Sequence, residues 1–111
     1  MTLKRLMFFL ILTLYPSAGF ASSVTGKVSI LFSRSDNLQY VYIDGQPSAR
    51  PSCAPSTTYY MIKDENSAGG QGQYAMLLSA QLAGKTVLVE GTGSCTRWSD
   101  GEDIFLVRIL Y

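Results

Sequence analysis

Hydrophobic and polar residues alternate along several short stretches of the chain, a pattern typical of half-buried β-strands. Residues 27–33 show this alternation, with Leu31 as the exception on the polar face. The apolar positions expected on the other face are Val28, Ile30 and Phe32. A polar turn follows, and residues 38–44 then place Tyr40 and Tyr42 on the face opposite Val41 and Ile43. The pattern predicts a β-hairpin.

Three further strands are predicted at 57–63, 85–90 and 104–111, all rich in β-branched and aromatic residues. Residues 73–83 consist of strong helix formers, with an apolar stripe at helical spacing. The stripe contains Tyr74, Leu77, Leu78 and Leu82. Gly84 is expected to end this helix in a left-handed cap. The polar, glycine-rich residues 64–72 are expected to form a flexible connector before it.

The order strand, strand, strand, helix, strand, strand is typical of an OB-type fold, a five-stranded barrel with a helix between the third and fourth strands. The fold class expected is therefore mainly β with one helix. An open α+β sheet with one helix on its face is the alternative. Phe32 and Phe105 are expected to serve the core. Because the last strand is apolar on both faces, it is either central to a closed barrel or exposed to a neighbouring subunit.

The N-terminus has the features of a cleavable signal peptide. Lys4 and Arg5 precede an apolar run at 6–14, which is shorter than the roughly 20 residues that span a bilayer. Small residues at Gly19 and Ala21 favour cleavage after Ala21. We therefore expect an exported protein, either secreted or periplasmic, with no membrane span in its mature chain. A membrane-tethered N-terminus is the alternative.

Cleavage there gives a signal peptide at 1–21 and a single domain at 22–111. Loss of Lys4 and Arg5 leaves seven basic against eight acidic residues, a net charge of −1. Such a chain has no basic cluster to neutralise phosphates, so nucleic-acid binding is not expected. Cys53 and Cys95 are expected to pair, since an oxidising compartment favours a disulfide between two exported cysteines.

The residues offer little for catalysis. The chain contains no histidine, the usual general base and metal ligand, so we expect neither a metal nor another cofactor. Asp100, Glu102 and Asp103 crowd one loop and could in principle support glycoside hydrolysis or bind calcium. The simpler interpretation is a tight turn at Asp100-Gly101 with solvated acids beside it. The sequence therefore favours a binding protein over an enzyme.

Trp98 is the sharpest candidate for contact with a ligand, with packing over the disulfide as the alternative. In OB-type barrels the loops joining strands one to two and four to five border the binding face. Six polar or aromatic residues of these loops are the candidate ligand-binding residues: Ser33, Arg34, Asp36, Arg97, Trp98 and Asp100. Tyrosines 40, 42, 59 and 60 could pack or present rings to a ligand. Rings with short polar side chains suit a sugar or peptide site.

Four segments of the chain resemble those of small secreted proteobacterial proteins. They are the tyrosine-rich second strand, the loop with Cys53, the helix at 74–84, and the segment from Val87 to Cys95, which contains Gly91-Thr-Gly-Ser-Cys. These proteobacterial proteins are related to the B subunit of subtilase cytotoxin and of pertussis-like toxins. The resemblance implies an OB-type barrel, a homo-oligomer in the form of a ring of five, and recognition of host glycans or glycoproteins. It also raises the prospect of an enzymatic toxin subunit as partner.

Two other hypotheses stand beside a glycan-binding B-subunit-like protein. One is a periplasmic inhibitor or protein-interaction module that docks through its loops and has no toxin partner. The other is a small hydrolase that uses the acidic loop around Asp100.

Overall fold

The structure is a computed structural model that describes residues 21–111, and it shows five strands in a closed barrel with one helix. The elements are β1 (Ser23–Ser33), β2 (Gln39–Asp44), β3 (Tyr59–Met61), α1 (Ala68–Ala83), β4 (Thr86–Gly91) and β5 (Glu102–Ile109). The predicted OB-type arrangement is confirmed, and because the barrel is closed, the open sheet is not the fold. Apart from Ala21, the predicted signal peptide lies outside the described residues.

The strands follow one another around the barrel in the order β1-β2-β3-β5-β4, and β4 returns to β1. All neighbours are antiparallel except β3 and β5, which run parallel over two residue pairs, Tyr60 with Glu102 and Met61 with Asp103. Val41 and Ile43 of β2 and Val87 and Val89 of β4 point into the core, as the alternation predicts. The core also contains Tyr60, Ile62, Leu77, Ala80 and Ile104.

A register shift in β1 changes which of its residues face inward. Val28 pairs with Ile43 but Ile30 pairs with Tyr42, so Ser29 is an extra residue in the ladder. A bulge of this kind reverses the alternation of side chains beyond it. Ile30 is consequently 48% exposed, whereas Leu31 packs against the core. The prediction that Ile30 lies on the buried face is wrong, and so is the prediction that Phe32 serves the core, because Phe32 pairs with Tyr40 and stacks on its ring on the outer face.

A second shift, in β5, overturns the prediction for Phe105. Gly91 pairs with Ile104 while Glu90 pairs with Leu106, which leaves Phe105 as the extra residue. Ile104 and Val107 are both buried although they are three positions apart. Phe105 is 67% exposed and does not belong to the core.

Helix α1 starts five residues before its predicted beginning, so the expected flexible connector is helical from Ala68 onward. The Ser67 hydroxyl caps the helix by accepting a hydrogen bond from the Gly70 amide at 3.0 Å. A Cβ atom at Gly70 would collide with the backbone carbonyl of Asp64, so the close approach of helix and turn requires glycine there. Gly70 therefore serves helix packing.

The far end of α1 has the predicted cap, since Gly84 adopts a φ of 65°. The predicted apolar stripe is only partly buried. Leu77 lies in the core and Tyr74 packs against it. Leu78 and Leu82 are exposed, the latter by 80%, so the prediction that they pack against the sheet is wrong. Within residues 21–111, no helix is long and apolar enough to cross a membrane.

The predicted disulfide is confirmed, because Cys53 is bonded to Cys95 with their Cα atoms 6.1 Å apart. Cys53 lies in the loop that leads into β3, and Cys95 lies in the loop that leads into β5. Since β3 and β5 are parallel, both loops meet at the same end of the barrel. The bond fixes the β4–β5 loop, which carries Trp98, against the rest of the barrel.

Candidate functional site

The β1–β2 and β4–β5 loops, which were predicted to border a binding face, contact each other. The guanidinium carbon of Arg34, just after β1, lies 5.7 Å from the centre of the Trp98 ring in the β4–β5 loop. A cation over an indole face at this distance is attracted by the ring electrons. The side chain of Trp98 is 42% exposed, so one part of the indole contacts protein while the rest is open to a ligand.

An open pocket of about 150 Å³ lies beside Trp98. Its lining consists of one cation, four aromatic rings and two aliphatic side chains, namely Arg34, Tyr40, Tyr42, Tyr59, Trp98, Leu38 and Met61. Tyr40 and Tyr42 point away from the core because their neighbours Val41 and Ile43 point into it. The pocket therefore lies on the outer face of β2 and β3, beneath the β4–β5 loop.

Aromatic rings cover this outer face in a continuous cluster. Phe32 stacks on Tyr40 with ring centroids 4.4 Å apart. Tyr59 lies 5.8 Å from Tyr40 and 5.7 Å from Tyr42, with the rings tilted or edge to face. Such arrangements hold rings rigidly and contribute about 0.5–1.5 kcal/mol per pair. The pocket wall is thus largely preformed.

Tyr59 ties the pocket wall to the β4–β5 loop through Asp100. Its hydroxyl donates a hydrogen bond to the Asp100 carboxylate, and the Thr57 hydroxyl donates to the Asp100 carbonyl at 2.5 Å. Desolvation, followed by the hydrogen bond to Asp100 and the negative charge of that carboxylate, raises the pKa of Tyr59 to about 12. Asp100 therefore orients a pocket ring and does not line the pocket itself.

The β1–β2 loop is organised around Asp36. Its carboxylate accepts hydrogen bonds from Arg34 at 2.8 Å and from the Leu38 amide at 3.3 Å. Desolvation acts to raise the pKa of Asp36, but the hydrogen bond from Leu38 and the charge of Arg34 lower it more, so the pKa lies below its ordinary value. Asp36 thus positions Arg34 at the pocket mouth. Ser33, at the end of β1, accepts a hydrogen bond from Gln39 and does not line the pocket.

Arg97 is directed elsewhere. Its guanidinium Nε donates to both carboxylate oxygens of Glu65, at 3.1 and 2.9 Å, and Glu65 is buried. This ion pair fastens the β4–β5 loop to the segment before α1. Of the six predicted residues, Arg34 and Trp98 line the pocket, Asp36 and Asp100 hold lining residues in place, and Ser33 and Arg97 are outside it.

The structure adds Leu38, Tyr40, Tyr42, Tyr59 and Met61 to the site. The alternation in β2 was the signal for Tyr40 and Tyr42, because it sets them on the face opposite the core. Met61 shares a face with Tyr59 and pairs with Tyr40, so alternation in β3 also places it on the outer face. It is nevertheless buried, because Gly101 of the β4–β5 loop lies against its side chain.

The acidic loop differs from the expectation of solvated side chains. Glu102 and Asp103 are each 0% exposed and begin strand β5, so the prediction that they are solvated is wrong. Asp103 accepts hydrogen bonds from the Thr96 and Arg97 amides and from the Thr96 hydroxyl. Of the three acids proposed for hydrolysis, only Asp100 is exposed to a substrate. Within residues 21–111, no group of three or more His, Cys, Asp or Glu side chains is arranged to hold a metal ion.

Comparison of the chain with models of protein families, with curated proteins and with solved structures gives no match. The functional argument therefore depends on the pocket and its chemistry.

Proposed function

We propose that this protein is an exported glycan-binding protein of the toxin B-subunit type, which recognises a glycan or glycoprotein through the pocket beside Trp98. The observation that carries the proposal is the set of four aromatic rings around one open pocket on the outer face of β2 and β3. In OB-type folds, the face of strands two and three and the loops above it are where oligosaccharides bind.

The chemistry of the lining suits a sugar. The faces of a pyranose ring carry C–H groups that pack on aromatic rings, and Trp98 offers an exposed indole for such packing. Sugar hydroxyls need hydrogen-bond partners, which the tyrosine hydroxyls and the Arg34 guanidinium can provide. A pocket with apolar walls and a few polar groups is the usual form of a small-molecule site.

The size of the pocket favours recognition by several copies at once. About 150 Å³ is less than the roughly 300 Å³ of the smallest typical ligand pockets, which suits one terminal sugar and weak single-site binding. Linked sites raise the overall affinity by orders of magnitude without any new contact. Exposed apolar side chains outside the pocket, among them Leu82 and Phe105, support assembly of several subunits. A homo-oligomer, in the form of a ring of five, is part of the proposal.

A glycan array with the purified exported protein tests this function, and Trp98→Ala is the decisive variant. We expect the wild-type protein to bind a restricted set of glycans and the variant to lose about tenfold in affinity, since stacking on one ring contributes on the order of 1.4 kcal/mol. Tyr111→Ala is the matched control, because Tyr111 is an exposed aromatic residue that does not line the pocket. A wild-type protein that binds no glycan contradicts the proposal.

Static light scattering tests the assembly separately. We expect a mass of several subunits, five for a ring, that does not change on dilution into the micromolar range. A monomer at all concentrations contradicts the oligomer and leaves the glycan site to be judged by the array. An enzymatic toxin subunit, if there is one, should be encoded in a neighbouring reading frame and co-purify with this chain.

The second candidate function is a periplasmic protein-interaction or inhibitor module without a toxin partner. The exposure of Phe105, at the centre of β5 and away from the pocket, favours it, because exposed apolar side chains mark protein interfaces. Pull-down from periplasm with the wild-type protein and with Phe105→Ser distinguishes the two. A partner that is lost with Phe105→Ser and kept with Trp98→Ala supports the module.

A further inference from the structure

The first buried residue in the described part of the chain is Ser22. It is 1% exposed, whereas Ala21 immediately before it is exposed. The backbone nitrogen of Ser22 donates to Glu102 Oε2 at 3.1 Å, and its hydroxyl donates to Glu102 Oε1 at 2.5 Å. The residue that follows the predicted cleavage position thus places its nitrogen against a fully buried carboxylate.

In the described part of the chain, the charge of Glu102 is compensated by hydrogen bonds from Ser22 and from the Gly93 amide, at 2.9 Å, and by one long ion pair. Arg50 Nη1 lies 3.5 Å from Glu102 Oε1, which is longer than the contact from Ser22. The guanidinium of Arg50 is also shared with other groups: the carbonyls of Ala54 and Tyr59, the Thr57 hydroxyl and the ring of Tyr60. Burying a carboxylate is costly unless cations and hydrogen bonds compensate it. A second cation beside Glu102 would therefore be stabilising.

We propose that cleavage after Ala21 supplies this cation: the new α-ammonium group of Ser22 pairs with Glu102, so that removal of the signal peptide stabilises the mature barrel. Before cleavage, the amide nitrogen of Ser22 already contacts Glu102. Cleavage gives this nitrogen a positive charge, and the nitrogen stays at the same position. The ion pair joins the start of β1 to the start of β5 and so makes the mature N-terminus part of the fold.

The chemistry of the step is hydrolysis by the signal peptidase of the exporting cell. Water adds its hydroxyl to the carbonyl carbon of Ala21 and its hydrogen to the nitrogen of Ser22 as the peptide bond breaks. At neutral pH the proton of the new Ala21 carboxyl passes to the amine, because an α-amino group has a pKa of about 8. Ala21 is exposed, so its departure opens that side of the ammonium to water.

The effect should depend on pH in a defined direction. The charged or titratable groups that face Ser22 are Glu102, Arg50, which contacts the Ser22 hydroxyl at 3.2 Å, and Tyr60, whose hydroxyl contacts it at 2.7 Å. Glu102 contacts the nitrogen itself and attracts the ammonium, while Arg50 opposes it from the hydroxyl side. The stabilisation needs the protonated amine, and pairing with Glu102 raises the pKa of that amine above its ordinary value of about 8. The stabilisation is therefore complete below the ordinary value and lost as pH rises through the raised one.

The test compares two purified forms of the mature chain, one beginning at Ser22 and one whose Ser22 amine is acetylated. Thermal unfolding is followed for both at pH 6 and at pH 10. We expect the free-amine form to melt about 4–8 °C higher at pH 6, the shift that a single added charge contact produces in a domain of this size. At pH 10 the difference should shrink toward zero. Mass spectrometry of the exported protein locates its first residue.

Glu102→Gln in both forms provides the matched variant, and Asp44→Asn provides the control, since Asp44 is an exposed acid at the far end of β2. The difference between the two forms should vanish with Glu102→Gln and persist with Asp44→Asn. If Glu102→Gln does not fold, the two wild-type forms at the two pH values decide alone. Equal melting temperatures at pH 6, a difference that survives Glu102→Gln, or an exported chain that starts at another residue overturns the proposal.

Discussion

Tyr59 and Tyr60 are neighbours in β3, yet they belong to regions of opposite character. Tyr59 faces outward, forms part of the pocket wall and donates to the exposed Asp100. Tyr60 faces inward, is 0% exposed and contacts the hydroxyl of Ser22 and the guanidinium of Arg50. One step along a strand separates a surface suited to a ligand from a buried polar network. The environment, and not the residue type, decides the role of each tyrosine.

Two acidic residues near these tyrosines, Asp100 and Glu102, also differ in their exposure. Asp100 is exposed at the tip of the β4–β5 loop, and water can replace its partner. Glu102, two residues later, is buried inside the barrel, and within the described residues its carboxylate accepts hydrogen bonds from Ser22, Gly93 and Arg50. A change in the buried network should therefore cost stability, while a change in the pocket should cost binding.

The largest effect is expected from the disulfide, because it holds both regions together. In the double variant Cys53→Ala, Cys95→Ala, the free energy of unfolding should fall by about 4 kcal/mol, since the bond closes a loop of 42 positions. Urea denaturation measures this change. The reduced wild-type protein is the control and should match the variant. A fall of less than about 1 kcal/mol would mean that the barrel does not depend on the bond.

Next in size is the contrast between the two acids. Glu102→Gln removes the charge from a buried, hydrogen-bonded carboxylate and should lower the free energy of unfolding by about 2–3 kcal/mol. Asp100→Asn changes an exposed group and should cost less than about 0.5 kcal/mol. Both variants keep the shape of the side chain and are compared by urea denaturation. Equal costs would break the distinction between the buried network and the pocket.

The smallest effect concerns Tyr59 at alkaline pH. Its pKa is about 12 in the folded protein, above the ordinary value of 10.0, so the unfolded chain loses this proton first. The contribution of Tyr59 is complete below pH 10 and is lost as pH rises toward 12. In Tyr59→Phe, stability should therefore decline less steeply over this range. Thermal unfolding between pH 9 and 12 measures the decline, and identical slopes in the two proteins would contradict the pairing with Asp100.

The order of elements and the cysteine pairing follow from the sequence because each depends on a local signal: alternation, helix spacing or a count of two cysteines. Closure of the barrel has no such signal, since the same element order also allows an open sheet. Nor do the two bulges follow from a local signal. Ser29 and Phe105 are each an extra residue that shifts the pairing register by one. Alternation along a single strand cannot predict such a shift, because the shift depends on the pairing with the neighbouring strand. Ile30 and Phe105 were consequently placed on the wrong face.

The candidate site, like the fold, could be predicted only in part from the sequence. The OB-type arrangement brings Arg34 and Trp98 together because both lie on loops at known positions in the fold. Arg97 was misplaced because its partner, Glu65, lies in a distant segment whose burial has no local signal. The glycine-rich start of α1 looked like a connector, because glycine's low helix propensity conceals the close packing that requires Gly70.

The parallel seam between β3 and β5, with only two residue pairs, is the shortest in the barrel. If β3 and β5 separated, each would expose an edge with unpaired amides and carbonyls, and such edges can pair with strands of other chains. Because the disulfide joins the loops that lead into these two strands, it keeps the edges within reach of each other and makes reclosure fast. The covalent bond thus guards the chain against aggregation as well as against unfolding.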